Sequence, residues 1–140
     1  MIRELEKQIE IKANQSHLAS RLRSIKGFGV ICCGELAGEI GCVERFPTDA
    51  SLALYTGMAA LDNSSGKYRG SKQSKQVNRH AKRAMMVAVD HQRRHNEKSK
   101  VYYLKKRKEG KKHNQAIRSL GRHLIRIIFK MLTKDRDYYL

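Results

Sequence analysis

The sequence has no tryptophan, a single proline, Pro47, and only three cysteines. Cys32, Cys33 and Cys42 are odd in number and two of them are adjacent, which suits neither a disulfide framework nor the ligand spacing of a zinc site. We therefore expect three reduced cysteines in the core. The shortage of proline and tryptophan favours a helical protein over a β-sandwich.

Long apolar runs are also missing. No stretch approaches the roughly 18 consecutive apolar residues that indicate a membrane span, and the first residues, MIRELEKQIE, are charged where a signal peptide would be apolar. The sequence therefore predicts a cytoplasmic protein with no membrane partner. A chain of 140 residues suits one domain, which buries roughly two-thirds of its unfolded surface.

Acidic residues are scarce and unevenly placed. The 13 Asp and Glu face 30 Lys and Arg, a formal net charge of +17. Residues 1–66 hold 7 basic and 8 acidic residues, a net charge of −1, whereas residues 67–140 hold 23 and 5, a net charge of +18. Such one-sidedness is typical of proteins that bind polyanions, and in a cytoplasm these are mainly nucleic acids. DNA is therefore the predicted partner, with a merely solubilising surface as the alternative.

Hydrophobic periodicity predicts an all-α, compact helical domain. Residues 1–20 are interpreted as an N-terminal helix with a narrow apolar stripe of Ile2, Leu5 and Ile9. This stripe is consistent with the tail of an upstream coiled segment. Residues 21–140 are interpreted as the main helical domain.

A glycine-rich connection interrupts the early helices. Gly27 and Gly29 separate a helix that ends near Ile25 from a helix predicted over residues 30–40. The pattern resembles a helix-hairpin-helix, in which a glycine-x-glycine turn lets backbone amides approach a DNA phosphate. Lys26, Gly27 and Gly29 are therefore candidate DNA contacts, and a packing corner is the alternative.

The rest of the chain alternates helices with turn signals. Thr48 is a predicted N-cap, and residues 58–74 lack any period, which predicts a long irregular loop between the third and fourth helices. A helix is predicted from Gln76, the next is capped by Asn96, and the last covers residues 113–133.

Basic residues on the later helices are candidate phosphate contacts. Four of them recur at intervals of four on the last helix, so they are predicted to share one face as like charges. Their repulsion costs about 1 kcal/mol in total, and a bound phosphate backbone would reverse it; a solvated face is the alternative. The four residues are Arg118, Arg122, Arg126 and Lys130.

Two other pairs of side chains invite a functional interpretation. Tyr102 and Tyr103 could stack on nucleic-acid bases, but their helical spacing beside Leu104 favours the core or its rim. His91 and His95 are four residues apart, yet no acid or cysteine completes a ligand set. We therefore predict no metal site in this chain.

Five stretches follow one another in a recognisable order: LRSIKGFG, RFPTDASLALYTGM, SSG, SKQVNRHAKRAMMVA and YYLKKRKEGKKHNQAIRSLGRHLIRIIFKML. In this order they resemble the C-terminal, serine-bearing domain of the IS one-ten family of bacterial insertion-sequence transposases, which are relatives of the Piv-type DNA invertases. The resemblance covers about residues 18–134.

The resemblance implies a serine nucleophile that acts on DNA. The Ser-Gly motif of the family falls on Ser65 and Gly66, with Ser64 as the second candidate. A serine hydroxyl needs a base or a metal to remove its proton, and Asp62 is either such a base or a turn former. Nearby residues that would offset phosphate charge or match the family are Lys67, Arg69, Lys72, Lys75, Asn78, Arg79 and Arg83.

The resemblance also implies components that this chain lacks. Family members carry a domain similar to the RuvC nuclease, whose four acidic residues hold magnesium, and nothing in these residues resembles it. We therefore expect no cofactor in this chain and magnesium in the missing domain. A guide (bridge) RNA is an implied partner beside DNA, and assembly into a homo-oligomer is compatible with the sequence.

Together these features predict the DNA-binding domain of an insertion-sequence transposase or site-specific recombinase. It would supply a serine nucleophile to a site that a RuvC-like domain completes, so that the chain alone would be inactive. Alternatives are a non-catalytic helix-hairpin-helix protein that binds nucleic acid, a transposase relic, and a basic ribosome-associated protein.

Overall fold

The computed structural model describes residues 2–59 and 77–138, and residues 10–15 as backbone alone. Across these ranges the chain is helical and contains no strand, which confirms the predicted all-α class. The helices are α1 (Ile2–Gln15), α2 (His17–Arg23), α3 (Val30–Ile40), α4 (Asp49–Tyr55), α5 (Arg79–His95), α6 (Glu97–Lys108) and α7 (His113–Thr133), with one 3-10 turn at Val43–Arg45.

The region predicted as one N-terminal helix is divided into α1 and α2. Ser16 has extended backbone angles, and its hydroxyl accepts a hydrogen bond from the Ala19 amide at 3.3 Å, so it caps α2. Helix α1 packs against α2 and α3. The side chains of Ile2 and Leu5 nevertheless remain exposed.

The turn between α2 and α3 lies directly on the backbone of α5. Gly27 has φ of +102°, and a β-carbon added to it would lie 2.6 Å from the α-carbon of Gln92. Only glycine combines that backbone conformation with such a close approach. Of the two interpretations left open for Gly27, a packing corner is the one that accounts for its geometry.

Local signals placed most helix ends correctly. Thr48 Oγ1 accepts from the Ser51 amide at 3.2 Å, and Asn96 Oδ1 accepts from the Ser99 amide at 3.0 Å, so both predicted caps are confirmed. Helices α3 and α7 have the predicted bounds. Helix α5 begins at Arg79, later than predicted, because Asn78 has extended backbone angles and caps the helix.

The core is built on the apolar face of α7, which packs against α4, α5 and α6. Burying a leucine or isoleucine side chain stabilises the fold by about 1.5–3 kcal/mol relative to leaving it exposed. Gly121, halfway along α7, lacks a side chain where Met58 packs against the helix. Ile127 on this face is only partly buried, whereas the buried side chains include Ile117, Leu120, Leu124, Ile128 and Met131.

The three cysteines have different environments. Cys33 is buried in α3, and burial, reinforced by the neighbouring Cys32, raises the pKa of its thiol to about 12. Cys32 is partly buried. Cys42 is exposed, so its predicted place in the core is wrong: it follows the end of α3, where the chain turns over the surface.

The predicted irregular loop over residues 58–74 falls almost wholly outside the described residues and stays a prediction. Its place in the chain is between α4 and α5, one helix later than counted from the sequence, because the N-terminal region forms two helices. No helix in the described ranges is both long and apolar enough to cross a membrane.

Replacing Gly27 with alanine is expected to destabilise the protein by about 2 kcal/mol or more. A non-glycine residue at positive φ costs roughly 1–2 kcal/mol, and the new β-carbon would push against α5. Urea unfolding followed by circular dichroism measures the change.

Gly29→Ala is the matched control. Gly29 has φ of −75°, and a β-carbon there would meet no atom within 4 Å. A loss below about 1 kcal/mol is expected for this N-cap change. Equal losses for the two variants would contradict the close packing of Gly27 on α5.

Candidate nucleic-acid interface

The segment that contains the predicted nucleophile lies outside the described residues. Residues 60–76 include Ser64, Ser65, Lys67, Arg69, Lys72 and Lys75, and the roles of these residues stay predictions. The residues on either side of the segment are described. The backbone amide of Asn78 donates to the carbonyl oxygen of Tyr55 at 2.8 Å, so the two flanks meet.

The side chain of Asn78 joins three helices at this meeting point. Its Oδ1 accepts from the Ala81 amide at 2.9 Å and caps α5. Its Nδ2 donates to Glu39 Oε2 at 2.8 Å and to the Tyr55 hydroxyl at 2.9 Å. Tyr55 in turn donates to the carbonyl oxygen of Glu39 at 2.9 Å. Asn78 therefore positions the start of α5 against α3 and α4.

Sequence reasoning missed Glu39 and Tyr55 as partners of Asn78. Glu39 is 39 residues away from Asn78 along the chain. Each residue looks ordinary in its own helix, so no local pattern signals the contact. The role of Asn78 as an N-cap, in contrast, could have been read from its place before a run of helix formers.

Helix α5 presents basic side chains to solvent. Arg79 and Arg83 are exposed, lie four residues apart on one face, and form no ion pair with any described acid. Asp90 lies near three basic side chains, Arg93 at 2.8 Å, Arg94 at 3.3 Å and His113 at 3.9 Å. The start of α5 therefore carries positive charge that no acid in residues 2–59 or 77–138 pairs with.

The four predicted cations of α7 do not form one uniform face. Arg126 and Lys130 are exposed and have no acidic partner among the described residues, whereas Arg118 is partly buried. Arg122 is also partly buried, and its Nη2 lies 3.2 Å from Asp49 Oδ1 of α4. Residues four apart on an α-helix are offset by about 40° around its axis. The row of four cations therefore winds around α7 from the side of α4 toward the side of α6.

The helix connection before α3 offers two exposed candidates. Lys26 and Gly29 lie at the surface, and Gly29 is the N-cap of α3 without a side-chain capping bond. Unpaired amides of a first turn are potential partners for a phosphate. Lys26 and Gly29 thus remain candidate DNA contacts, whereas Gly27 faces inward against α5.

The described ranges contain no cluster of metal ligands. There, no three His, Cys, Asp or Glu side chains lie close enough together to hold a metal ion. His91 and His95 are exposed, and Nδ1 of His95 lies 2.8 Å from the carbonyl oxygen of His91. The part of the chain that is described therefore offers no ligand set for the magnesium that the resemblance implies.

Comparison with known protein families identifies the class of this helical, basic domain. Residues 19–104, more than half of the chain, match the family model described as the transposase IS116/IS110/IS902 family. The chain therefore belongs to this family of insertion-sequence transposases, which confirms the resemblance drawn from the ordered motifs.

Curated relatives extend the match to nearly the whole chain. The uncharacterized 43.6 kDa protein of insertion element IS110 from Streptomyces coelicolor is 36% identical over 138 residues, which are 98% of this chain and 34% of the relative. The uncharacterized 42 kDa protein of IS900 from Mycobacterium paratuberculosis is 32% identical over 133 residues, 94% of this chain and 33% of the relative. The chain thus spans about a third of the length of these relatives. No solved structure gives a significant match.

Asn78→Ala is expected to destabilise the protein more than Asn96→Ala. Asn96 is the matched control because its described side-chain bond is a cap alone, and losing a cap costs about 0.5–2 kcal/mol. Asn78 makes two further hydrogen bonds, each contributing about 1 kcal/mol. Urea unfolding of both variants measures the difference, and equal losses would show that the Glu39 and Tyr55 contacts add nothing.

Proposed function

We propose that this chain is the part of an insertion-sequence transposase that binds DNA and supplies the serine nucleophile. DNA transposition and recombination are then activities of the whole transposase. This chain spans about a third of the length of its curated relatives. Membership of the transposase family supports the reaction class.

The proposal that this chain binds DNA rests on a set of exposed cations that have no acidic partner among the described residues. Arg79 and Arg83 on α5 and Arg126 and Lys130 on α7 are exposed and unpaired among the described residues. Neutralising phosphates with such side chains releases counterions from the duplex, which favours binding irrespective of sequence. The net charge of +18 on residues 67–140 acts in the same direction.

Ser65 is the proposed nucleophile, on the basis of the family motif. Its Oγ would form a bond to a backbone phosphorus while one bridging P–O bond breaks and the departing sugar oxygen takes a proton as a free hydroxyl. The serine proton passes to a base. The contact between Asn78 and Tyr55 supports this proposal, because it holds together the two flanks of the segment that contains Ser65.

The proposal places the base and the metal ligands in the part of the transposase that this chain does not span. The described residues hold no cluster suited to a metal ion. A guide RNA is proposed as a further partner on the resemblance alone, and the same exposed cations would bind its phosphates. Homo-oligomer formation also stays a proposal.

Arg126→Gln is expected to reduce the salt dependence of duplex binding. Each lost phosphate contact lowers the slope of log affinity against log salt by about one. Arg83→Gln should act in the same way, and the double variant should lose about two. Fluorescence anisotropy with a labelled duplex, titrated at several salt concentrations, gives the slopes.

Arg122→Gln is the matched control on α7. Because its guanidinium lies 3.2 Å from Asp49 Oδ1, it is expected to change the slope by less than Arg126→Gln does. Equal slopes for Arg126→Gln and the unaltered chain would remove this part of α7 from the interface.

Ser65→Ala is expected to abolish a covalent protein–DNA adduct. The test uses a fusion that restores the part of the relatives missing from this chain, with a labelled DNA substrate and denaturing gel electrophoresis. Duplex affinity should change little, since one neutral hydroxyl contributes little beside many phosphate contacts.

Ser64→Ala is the control for the neighbouring hydroxyl and is expected to lower adduct formation only modestly. An adduct that survives Ser65→Ala but disappears in Ser64→Ala would assign the nucleophile to Ser64. An adduct that survives both changes would refute a serine nucleophile in this segment.

A further inference from the structure

A groove separates α6, α7 and the chain that follows α7. Its volume is about 540 Å³, which lies within the 300–1,000 Å³ usual for small-ligand pockets. The groove combines an apolar floor, three aromatic rings and a basic rim. The residues that define these parts are Leu120, Leu124 and Ile127 for the floor, Tyr102, His123 and Tyr138 for the rings, and Lys98 and Lys130 for the rim.

The wall formed by the chain after α7 is fixed by contacts with α2. The amide of Tyr138 donates to Ser24 Oγ at 2.7 Å. Arg21 Nη1 lies 2.7 Å from Asp137 Oδ1, and Arg21 Nε lies 3.3 Å from Asp135 Oδ1. These ion pairs place both acids against a cation of α2. The carboxylate of Asp137, which lines the groove, is thereby compensated.

The aromatic side chains offer a flat surface. The ring of Tyr102 stacks on the His123 imidazole with centroids 5.8 Å apart and planes 18° from parallel. Tyr102 is only partly buried, so part of its surface stays accessible. A nucleic-acid base can stack on such a ring whatever its identity, because every base has a π-face.

The cations of the groove suit the phosphates that flank such a base. Lys98 on α6 and Lys130 on α7 are exposed, line the groove, and form no ion pair with a described acid. Lys106 Nζ lies over the Tyr102 ring, 5.4 Å from its centroid, and adds positive charge next to it. Apolar floor, accessible ring and two rim cations thus meet in one place.

We infer that this groove binds an unstacked base of a single-stranded nucleic acid, with the neighbouring phosphates at Lys98 and Lys130. A base within an intact duplex is stacked on both sides and cannot enter, so the groove discriminates single strands from duplexes. The inference rests on the proposed nucleic-acid function and adds to it a site for single strands on α6 and α7, which shares Lys130 with the proposed duplex interface.

The test uses the whole chain and an oligothymidylate that carries one 2-aminopurine, whose fluorescence is quenched by stacking. Tyr102→Leu keeps apolar bulk but removes the ring. It is expected to weaken single-strand binding about 5- to 150-fold, the range that follows from the loss of one base–aromatic stack. Tyr102→Phe should retain both affinity and quenching, and duplex affinity should be the same in all three proteins.

Lys98→Gln and Lys100→Gln form a matched pair that leaves the aromatic packing untouched. Both lysines are exposed on α6, but only Lys98 lines the groove. Lys98→Gln is therefore expected to weaken single-strand binding more than Lys100→Gln. This pair decides the question if circular dichroism shows that Tyr102→Leu does not fold.

The outcomes separate the two proposals. If folded Tyr102→Leu binds the single strand as well as the unaltered chain does, while duplex binding persists, the groove proposal is overturned. It is also overturned if the variant loses affinity for both ligands equally. Equal effects of the two lysine variants also overturn it. Failure of the unaltered chain to bind either ligand overturns the proposed function itself. Repeating the titration with oligouridylate shows whether the accepted base comes from RNA or from DNA.

Discussion

The apolar face of α7 is the surface on which the rest of the described structure is assembled. Helices α4, α5 and α6 all pack against it, and its buried residues recur through the whole length of the helix. A side chain removed from water contributes about 25 cal/mol per Å² of apolar surface, so this face supplies much of the stability. Gly121 lets Met58 approach the helix closely, which brings the chain after α4 onto the same core.

Burial of one face of α7 dictates what its other residues can do. The basic side chains must lie outside the apolar stripe, yet their spacing of four makes them wind around the helix rather than follow a line. Arg122 consequently meets Asp49 of α4, whereas Lys130 reaches the groove beside α6. An exposed or partly exposed ion pair stabilises by only about 0–1 kcal/mol, so the pairing matters mainly because it removes Arg122 from the cations of the proposed DNA interface.

The junction of α3, α4 and α5 links the fold to the proposed chemistry. Asn78 lies just after the segment that contains Ser65, and its side chain forms hydrogen bonds with Ala81, Glu39 and Tyr55. Asn78, which the sequence predicted as a nucleic-acid contact, therefore also holds the start of α5 against α3 and α4. In the proposed reaction such positioning would matter, because a displaced nucleophile loses much of its rate.

Several features could be read directly from the sequence: the all-α class, the bounds of α3 and α7, the caps at Thr48 and Asn96, and the family. These features depend on residues close together in the chain, or on the order of motifs, and both can be read along one dimension. The packing of Gly27 on α5, the exposure of Cys42 and the pairing of Arg122 depend instead on how the helices come together in three dimensions. The groove formed by α6, α7 and the chain after α7 depends on the same packing. Arg122 and Asp49 are 73 residues apart, and contacts over such separations depend on how helices pack, which local periodicity does not specify.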